Sequence, residues 1–371
     1  MIERLSLKNF AAFRNLEVSF SPKINVIIGE NSCGKTQLLK AAYALTSSNN
    51  ELSQHSPVFK TIVRSVLTRK LLGIYKPNDG NLGSLNHRGC KEATEIAATF
   101  SSGRTVGGTF TSRSNKVEPS GDFTTPDNGS GVFIPTKEVL SFLEGFASPE
   151  SHRPTIEQLF DSTYFDLANK LLIPEQVREA KAQWAKEKIT NRIGGRFEFD
   201  GPHVEFKSGE YKEYKNKHAS ETYFNPTAQA GFSATMTAEG FRKVGVLQRL
   251  LQNSAIGSGI SGPLYWDEPE ANMNPKLMRL VVEILFELSR NGQQIIIASH
   301  DYVLLKWLDL LADKGKEDHV RFHSLYRDRD TDEIKITSTD DFLSISPNPI
   351  DEAFGFLINQ EITNDMGDLG K

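Results

Sequence analysis

The chain has 371 residues, 38% hydrophobic and 24% charged, which suits one large packed domain or two modest ones. No run of roughly 18 apolar residues occurs, so no membrane-spanning helix is expected, and Met1-Ile2-Glu3-Arg4-Leu5 leads into strand pattern rather than a signal peptide. The net charge of −4 gives no global case for nucleic-acid binding, and Cys33 and Cys90, without a Cys-x-x-Cys spacing, give none for a disulfide framework or a cysteine zinc site, so a cytoplasmic setting is expected.

Residues 2–28 read as strands: Leu16, Val18 and Phe20 alternate, and Ile24 to Ile28 is a short apolar run. A helix is expected from Lys35 to about Leu45, and an amphipathic one over 56–75 with Val58, Phe59, Ile62, Val63, Val66 and Leu67 at helical spacing. From 76 to 131 the composition turns to Gly, Ser, Thr and Asn, predicting short strands such as Glu95 to Phe100 joined by loops. Val132-Phe133-Ile134 reads as a buried strand ended by Pro135. Residues 155–192 return to helix, with Ile156, Leu159, Phe160, Tyr164, Leu167 and Leu171 on one face and Pro174 starting a second helix. That helix and the turn after it carry Arg178, Lys181, Lys186, Lys188, Arg192 and Arg196, and a hairpin over 196–206 turns at Asp200-Gly201-Pro202. The last third alternates: helix 239–252, strand 263–266, helix 275–290, strand 294–298, helix 301–312, strand 320–326 and strand 333–337. Strands separated by such helices imply a parallel sheet covered on both faces.

Gly29-Glu30-Asn31-Ser32-Cys33-Gly34-Lys35-Thr36 fits the phosphate-loop pattern G-x-x-x-x-G-K-[ST], after a strand and at the start of a helix. The glycines let successive N–H groups turn toward phosphate, and the helix offers its positive end to the anion. Lys35 is expected to reach the β- and γ-phosphates of ATP, and Thr36 to hold Mg²⁺. Far downstream, Pro263-Leu264-Tyr265-Trp266 forms a buried strand delivering Asp267 and Glu268 to its carboxyl end, where α/β ligands bind. Asp267 would complete the metal shell, and Glu268 would orient and deprotonate the attacking water. Adjacent acids at a strand end are also found in plain loops. Strand 294–298 ends at Ser299-His300, and a lone histidine after a strand is commonly structural.

Lys35, Asp267-Glu268-Pro269-Glu270 and Ser299-His300 together resemble the ABC-ATPase superfamily, in which such a histidine touches the γ-phosphate. The opening Leu-x-x-Phe-x-x-Phe-x-x-Leu strand before the phosphate loop is similar to the recombination-repair branch with RecF and SMC-type proteins. Asp-Glu-Pro-Glu followed by Asn274-Pro275 resembles the overcoming-lysogenization-defect type and the related AAA ATPases of anti-phage systems such as Septu and PARIS. The likeness covers roughly residues 1–45, 130–145 and 228–310. It implies an α/β ABC-ATPase head: a phosphate-loop parallel sheet core, N-terminal antiparallel strands and an inserted helical and hairpin region. It also implies that two copies sandwich two ATPs, each completed by a signature motif from the partner. Thr237-Ala238-Glu239-Gly240-Phe241-Arg242-Lys243 is the candidate, with Gly240 against phosphate and Ala238 where the family has serine; Thr237 and Ser233 are alternative hydroxyls. Asn272 or Asn274 would lie in the loop crossing the dimer interface. Lys137 or Glu138 would stand where the family's Gln-containing loop senses Mg²⁺.

The expected organisation is an N-terminal lobe over 1–149, an insertion over 150–227 and a C-terminal lobe over 228–371. With about 70 residues after His300, the metal-binding nuclease domain of the lysogenization type is not expected among them, and Asp328-Arg329-Asp330 sits where a hairpin turn is expected. The expected function is a regulatory ATPase of an anti-phage system acting on a separately encoded effector, docked largely through 150–225. The alternatives are a DNA-binding repair ATPase, whose only basic candidate face is 178–217, and a self-contained ATP-dependent nuclease.

Overall fold

A segment such as Ile24 to Ile28, mostly apolar on both faces, fits only the interior of a sheet covered on both sides. The computed structural model places it there; it describes residues 1–55, 57–122, 129–147, 153–175, 180–216, 219–227, 231–257 and 262–368. In chain order, β1 (Ile2–Phe10), β2 (Phe13–Ser19) and β3 (Ile24–Gly29) precede α1 (Lys35–Leu52) and α2 (Lys60–Tyr75). Next come β4 (Thr94–Phe100), β5 (Thr105–Phe110), β6 (Glu118–Gly121), β7 (Val132–Ile134), α3 (Leu143–Phe146), α4 (Arg153–Leu159), α5 (Ser162–Leu171) and α6 (Ala180–Ile193). They are followed by β8 (Gly195–Asp200), β9 (His203–Asn216), β10 (Ala219–Pro226) and β11 (Phe232–Ser233). The last part alternates α7 (Glu239–Gln252), β12 (Leu264–Asp267), α8 (Pro275–Arg290), β13 (Ile295–Ala298), α9 (Tyr302–Leu311), β14 (Val320–Arg327), β15 (Ile334–Thr339) and α10 (Pro349–Asp368).

The central sheet runs β15-β14-β3-β13-β12-β7. Its ladders are parallel except at the β15 edge, with Ile24 opposite both Ile295 and Val320. Strand period sorts its side chains into two cores. Val26, Trp266 and Ile297 face one way and join α5 to α9, whereas Ile27, Tyr265 and Ile296 face the other and join α1, α2 and the N-terminal strands. Those strands form an antiparallel sheet in the order β2-β1-β4-β5-β6. The α/β head architecture with N-terminal antiparallel strands is therefore present.

Several local expectations change. Residues 57–59 precede the second helix: Phe59 takes extended backbone as its N-cap and is exposed, so α2 begins at Lys60. The apolar face expected over 155–171 is broken at Asp161, which caps α5 by accepting from Thr163 N, and Leu159 points to solvent. Pro174 lies outside helix, and helix is described from Ala180; Arg178 lies outside the described residues. The hairpin turn at Asp200-Gly201-Pro202 is present, with Gly201 at φ 57°, but β9 runs on to Asn216 and returns as β10. Both expected domain boundaries fall at 148–152 and 228–230, outside the described residues. Between them, Leu167, Leu171, Ile189, Ile193 and Phe197 are buried in the same core as α7 and α8.

Candidate nucleotide site

The loop after β3 is shaped by its two glycines. Gly29 has φ 148°, and a Cβ there would lie 2.3 Å from the Leu325 carbonyl oxygen; Gly34 has φ 87°, and a Cβ there would lie 2.8 Å from Cζ of Phe13. Both positions therefore exclude side chains on steric as well as conformational grounds. Between them Glu30, Asn31 and Ser32 are exposed, and Cys33 is buried against the N-terminal core. Gly34 gives α1 no side-chain cap, which leaves its first-turn N–H groups for an anion. Lys35 Nζ curls back to donate to the carbonyl oxygens of Gly29 at 2.7 Å and Glu30 at 3.0 Å. Burial lowers its pKa, and the nearby Cys33, Glu268, Asp267 and Glu270 act in the opposite direction.

Asp267 ends β12 with only 4% of its surface exposed. Its carboxylate accepts from the Thr36 hydroxyl, 3.0 Å to each oxygen and 231 positions away in sequence, and from the Thr136 hydroxyl at 3.0 Å. Burial raises its pKa, against the two hydroxyl bonds. A buried carboxylate that accepts from two hydroxyls fits a hard divalent cation such as Mg²⁺. Glu268 follows in left-handed backbone, φ 48°, with its N–H donating to Ala298 O at 2.9 Å. His300 Nδ1 lies 3.4 Å from Glu268 Oε1 and 3.5 Å from Glu270 Oε1. Glu270 is buried and fixes the end of β13 by accepting from Ser299 Oγ and His300 N, each at 2.9 Å, and burial raises its pKa. The sheet thus brings Lys35, Thr36, Asp267, Glu268 and His300 to one edge, at the carboxyl ends of β3, β12 and β13.

Ala238 is the N-cap of α7 and offers no side-chain cap bond; Gly240 sits in the first turn, where a Cβ would lie 3.2 Å from Asn272 O. The loop after Glu270 is held to this turn by Asn272 Nδ2 donating to Glu239 at 2.9 Å, while Asn274 caps α8. Neither alternative hydroxyl is idle: Thr237 donates to Ala234 O at 2.6 Å, and Ser233 bonds Thr235 Oγ1 at 2.9 Å. Glu138 is buried and ion-paired with Arg242 at 2.9 Å. The side chain that reaches Asp267 from this loop is Thr136, which no sequence pattern singles out, since a lone threonine after a strand carries none. Lys243 closes the signature candidate, and no motif position gives it a role of its own. On the buried face of α7 it is 1% exposed, it donates to the Glu268 carbonyl at 3.2 Å, and burial lowers its pKa.

Loss of the Thr136 hydroxyl removes one hydrogen bond from a charged acceptor, worth about 1.5–3 kcal/mol. Thr136→Val is therefore expected to raise the Mg²⁺ concentration for half-maximal turnover roughly tenfold, read from a Mg²⁺ titration of phosphate release. An unchanged titration would separate Thr136 from the metal.

Elsewhere, Asp328 accepts from Asp330 N, Thr331 N and the Thr331 hydroxyl and pairs with Lys335 at 2.6 Å, which holds its carboxyl well below the ordinary range. It is the organiser of the β14–β15 turn. In the basic candidate face, Lys186, Lys188, Arg196, Lys207 and Lys212 are each paired with an acid.

A family model described as "AAA domain, putative AbiEii toxin, Type IV TA system" matches residues 24–306. The DNA replication and repair protein RecF of Halalkalibacterium halodurans is 46% identical over 68 residues, 16% of this chain and 18% of the relative. RecF of Bacillus cereus (strain G9842) is 43% identical over 68 residues, with the same shares. The matched segment thus spans under a fifth of these relatives' length. The structure of an SmcHead bound to the C-winged helix domain of ScpA superposes with a TM-score of 0.51 at 13% identity, covering 93% of this chain and 99% of that one, a likeness of fold. No helix among the described residues is long and apolar enough to cross a membrane.

Proposed function

Because the chain belongs to the AAA-domain family described as "putative AbiEii toxin, Type IV TA system", an ATPase of the ABC, SMC and RecF type, we propose that it binds ATP at residues 29–36 and hydrolyses it between two copies of itself. The observation that carries this reading is the Thr36–Asp267 contact, which joins the phosphate loop to the acidic strand end. On this reading the Lys35 ammonium exchanges the Gly29 and Glu30 carbonyls for β- and γ-phosphate oxygens, and the N–H groups of 30–36 surround the rest. Thr36 and Asp267 would hold Mg²⁺, which neutralises phosphate charge when bound. Glu268 takes the proton of the attacking water, and His300, beside it, donates to the γ-phosphate. Gly240 and Ala238 of the partner copy cover the phosphates from the other side.

Ala238 supplies no hydroxyl to the transition state, so basal turnover is expected well below the ~10 s⁻¹ typical of enzymes. Ala238→Ser is expected to raise it several-fold, measured as steady-state phosphate release. Unchanged turnover would mean that this turn does not meet the nucleotide.

Slow hydrolysis suits a switch that dwells in its ATP state. We place the chain as the regulatory subunit of a prokaryotic anti-phage complex, acting on a separately encoded effector, with lobes over 1–149 and 228–371 and an inserted region over 150–227. The family description and the Asp-Glu-Pro-Glu…Asn-Pro pattern support this. The RecF likeness favours a second reading, a DNA-binding ATPase of repair. A phage-challenge assay separates them: protection lost in Lys35→Ala, with no retardation of duplex DNA by the purified protein, supports the first reading. DNA retardation without protection supports the second.

A further inference from the structure

The last described helix, α10, is exposed from Asp351 to Asn364, apart from a half-buried Gly355. Its first turns are anchored: Ile350 is buried, and Phe354 stacks on Tyr302 with ring centroids 4.3 Å apart. Positions four apart share a helix face, so Ile350 and Phe354 begin a stripe that continues through Ile358 and Ile362, with Leu357 beside it. Beyond Phe354 nothing among the described residues covers that stripe. Leu357 is 61% exposed, Ile362 50%, and Phe356, on the opposite side, 68%. A helix with uncovered apolar side chains on both sides gains stability only by burying them against something else.

Charge indicates what covers it. Over the length of α10 the sequence has no lysine or arginine, yet it carries Asp351, Glu352, Glu361, Asp365 and Asp368. Pairing α10 with the same helix of a second copy would bring two acidic segments together, which is repulsive. We infer that α10 is a docking helix that inserts its apolar side chains into an apolar groove edged by lysine and arginine on a separately encoded protein. This inference rests on the switch reading and adds to it the surface on which the effector acts. The seat of the helix couples it to the nucleotide: Tyr302, on which Phe354 stacks, opens α9, whose N-cap Asp301 follows His300, the residue proposed to meet the γ-phosphate. The mode is helix-in-groove recognition, with anchors at spacings of three and four.

The test uses the full chain co-expressed with the product of the adjacent gene of its operon, both then purified. The triple variant Phe356→Ser, Leu357→Ser, Ile362→Ser is expected to weaken binding at least a hundredfold by isothermal titration. The reversal Asp351→Lys, Glu352→Lys, Glu361→Lys is expected to weaken it at least tenfold at low salt and to abolish its salt dependence. Circular dichroism and ATP affinity should match the wild type in both, so a failure of docking is distinguishable from a failure of the nucleotide site. Wild-type affinity in the triple variant, or no binding of the neighbour by the wild-type chain, overturns the proposal. So does self-association of the nucleotide-free wild-type chain in sedimentation that the triple variant abolishes, since the occupant would then be a second copy.

Discussion

Lys35→Ala is expected to lose ATP binding, at least a hundredfold by equilibrium titration. The ammonium makes two bonds, at 2.7 and 3.0 Å, to the carbonyls of Gly29 and Glu30, and on the proposed reading phosphate oxygens would take over both. Charge-assisted bonds are worth about 1.5–3 kcal/mol each, so losing two removes roughly 3–6 kcal/mol of binding. Neighbouring groups do not compensate, because Thr36 is occupied with Asp267 and Glu30, Asn31 and Ser32 are exposed. The melting temperature of the nucleotide-free variant should stay near that of the wild type, which separates lost binding from lost folding. Retained micromolar binding would remove Lys35 from the phosphates.

Glu268→Gln is expected to bind ATP with near wild-type affinity and to release phosphate at least a hundredfold more slowly. The amide is isosteric and keeps a hydrogen-bonding oxygen near His300, which stands 3.4 Å away, but it cannot accept a proton from water; general-base catalysis contributes about 10²–10⁴-fold. The backbone holds this side chain in place. Glu268 sits at φ 48°, its N–H is fixed to Ala298, and its carbonyl is held by the buried Lys243. A left-handed non-glycine residue pinned on both sides of its peptide is strain of the kind found at functional sites. Normal phosphate release by this variant would move the general base elsewhere.

What the sequence made legible follows from how much chemistry each feature constrains. The phosphate loop reads without structure because Gly29 and Gly34 tolerate no Cβ and Lys35 and Thr36 must follow at once. Helices α7 and α8 read correctly to the residue, α8 because Asn274 caps it and Pro275 begins it. Less legible were features whose meaning comes only from packing. Thr136 matters because β7 lies beside β12, and strand pairing between such distant segments leaves no local signal. Lys243 closes the signature candidate, and only its burial places it against the Glu268 carbonyl. The β9–β10 arm mixes Lys, Glu and Tyr without two-residue alternation, so its continuation past Phe206 had no periodic signature. The stripe on α10 has its meaning only once Tyr302 is seen beneath Phe354.

The most direct test of the central claim is the mass of Glu268→Gln in sedimentation velocity with and without Mg²⁺ and ATP. A hydrolysis-blocked sandwich should be a monomer without nucleotide and a dimer with one ATP per chain, and Lys35→Ala should remain monomeric throughout. A Glu268→Gln protein that binds one ATP per chain and stays monomeric at saturating nucleotide would contradict an ATP site completed by a second copy.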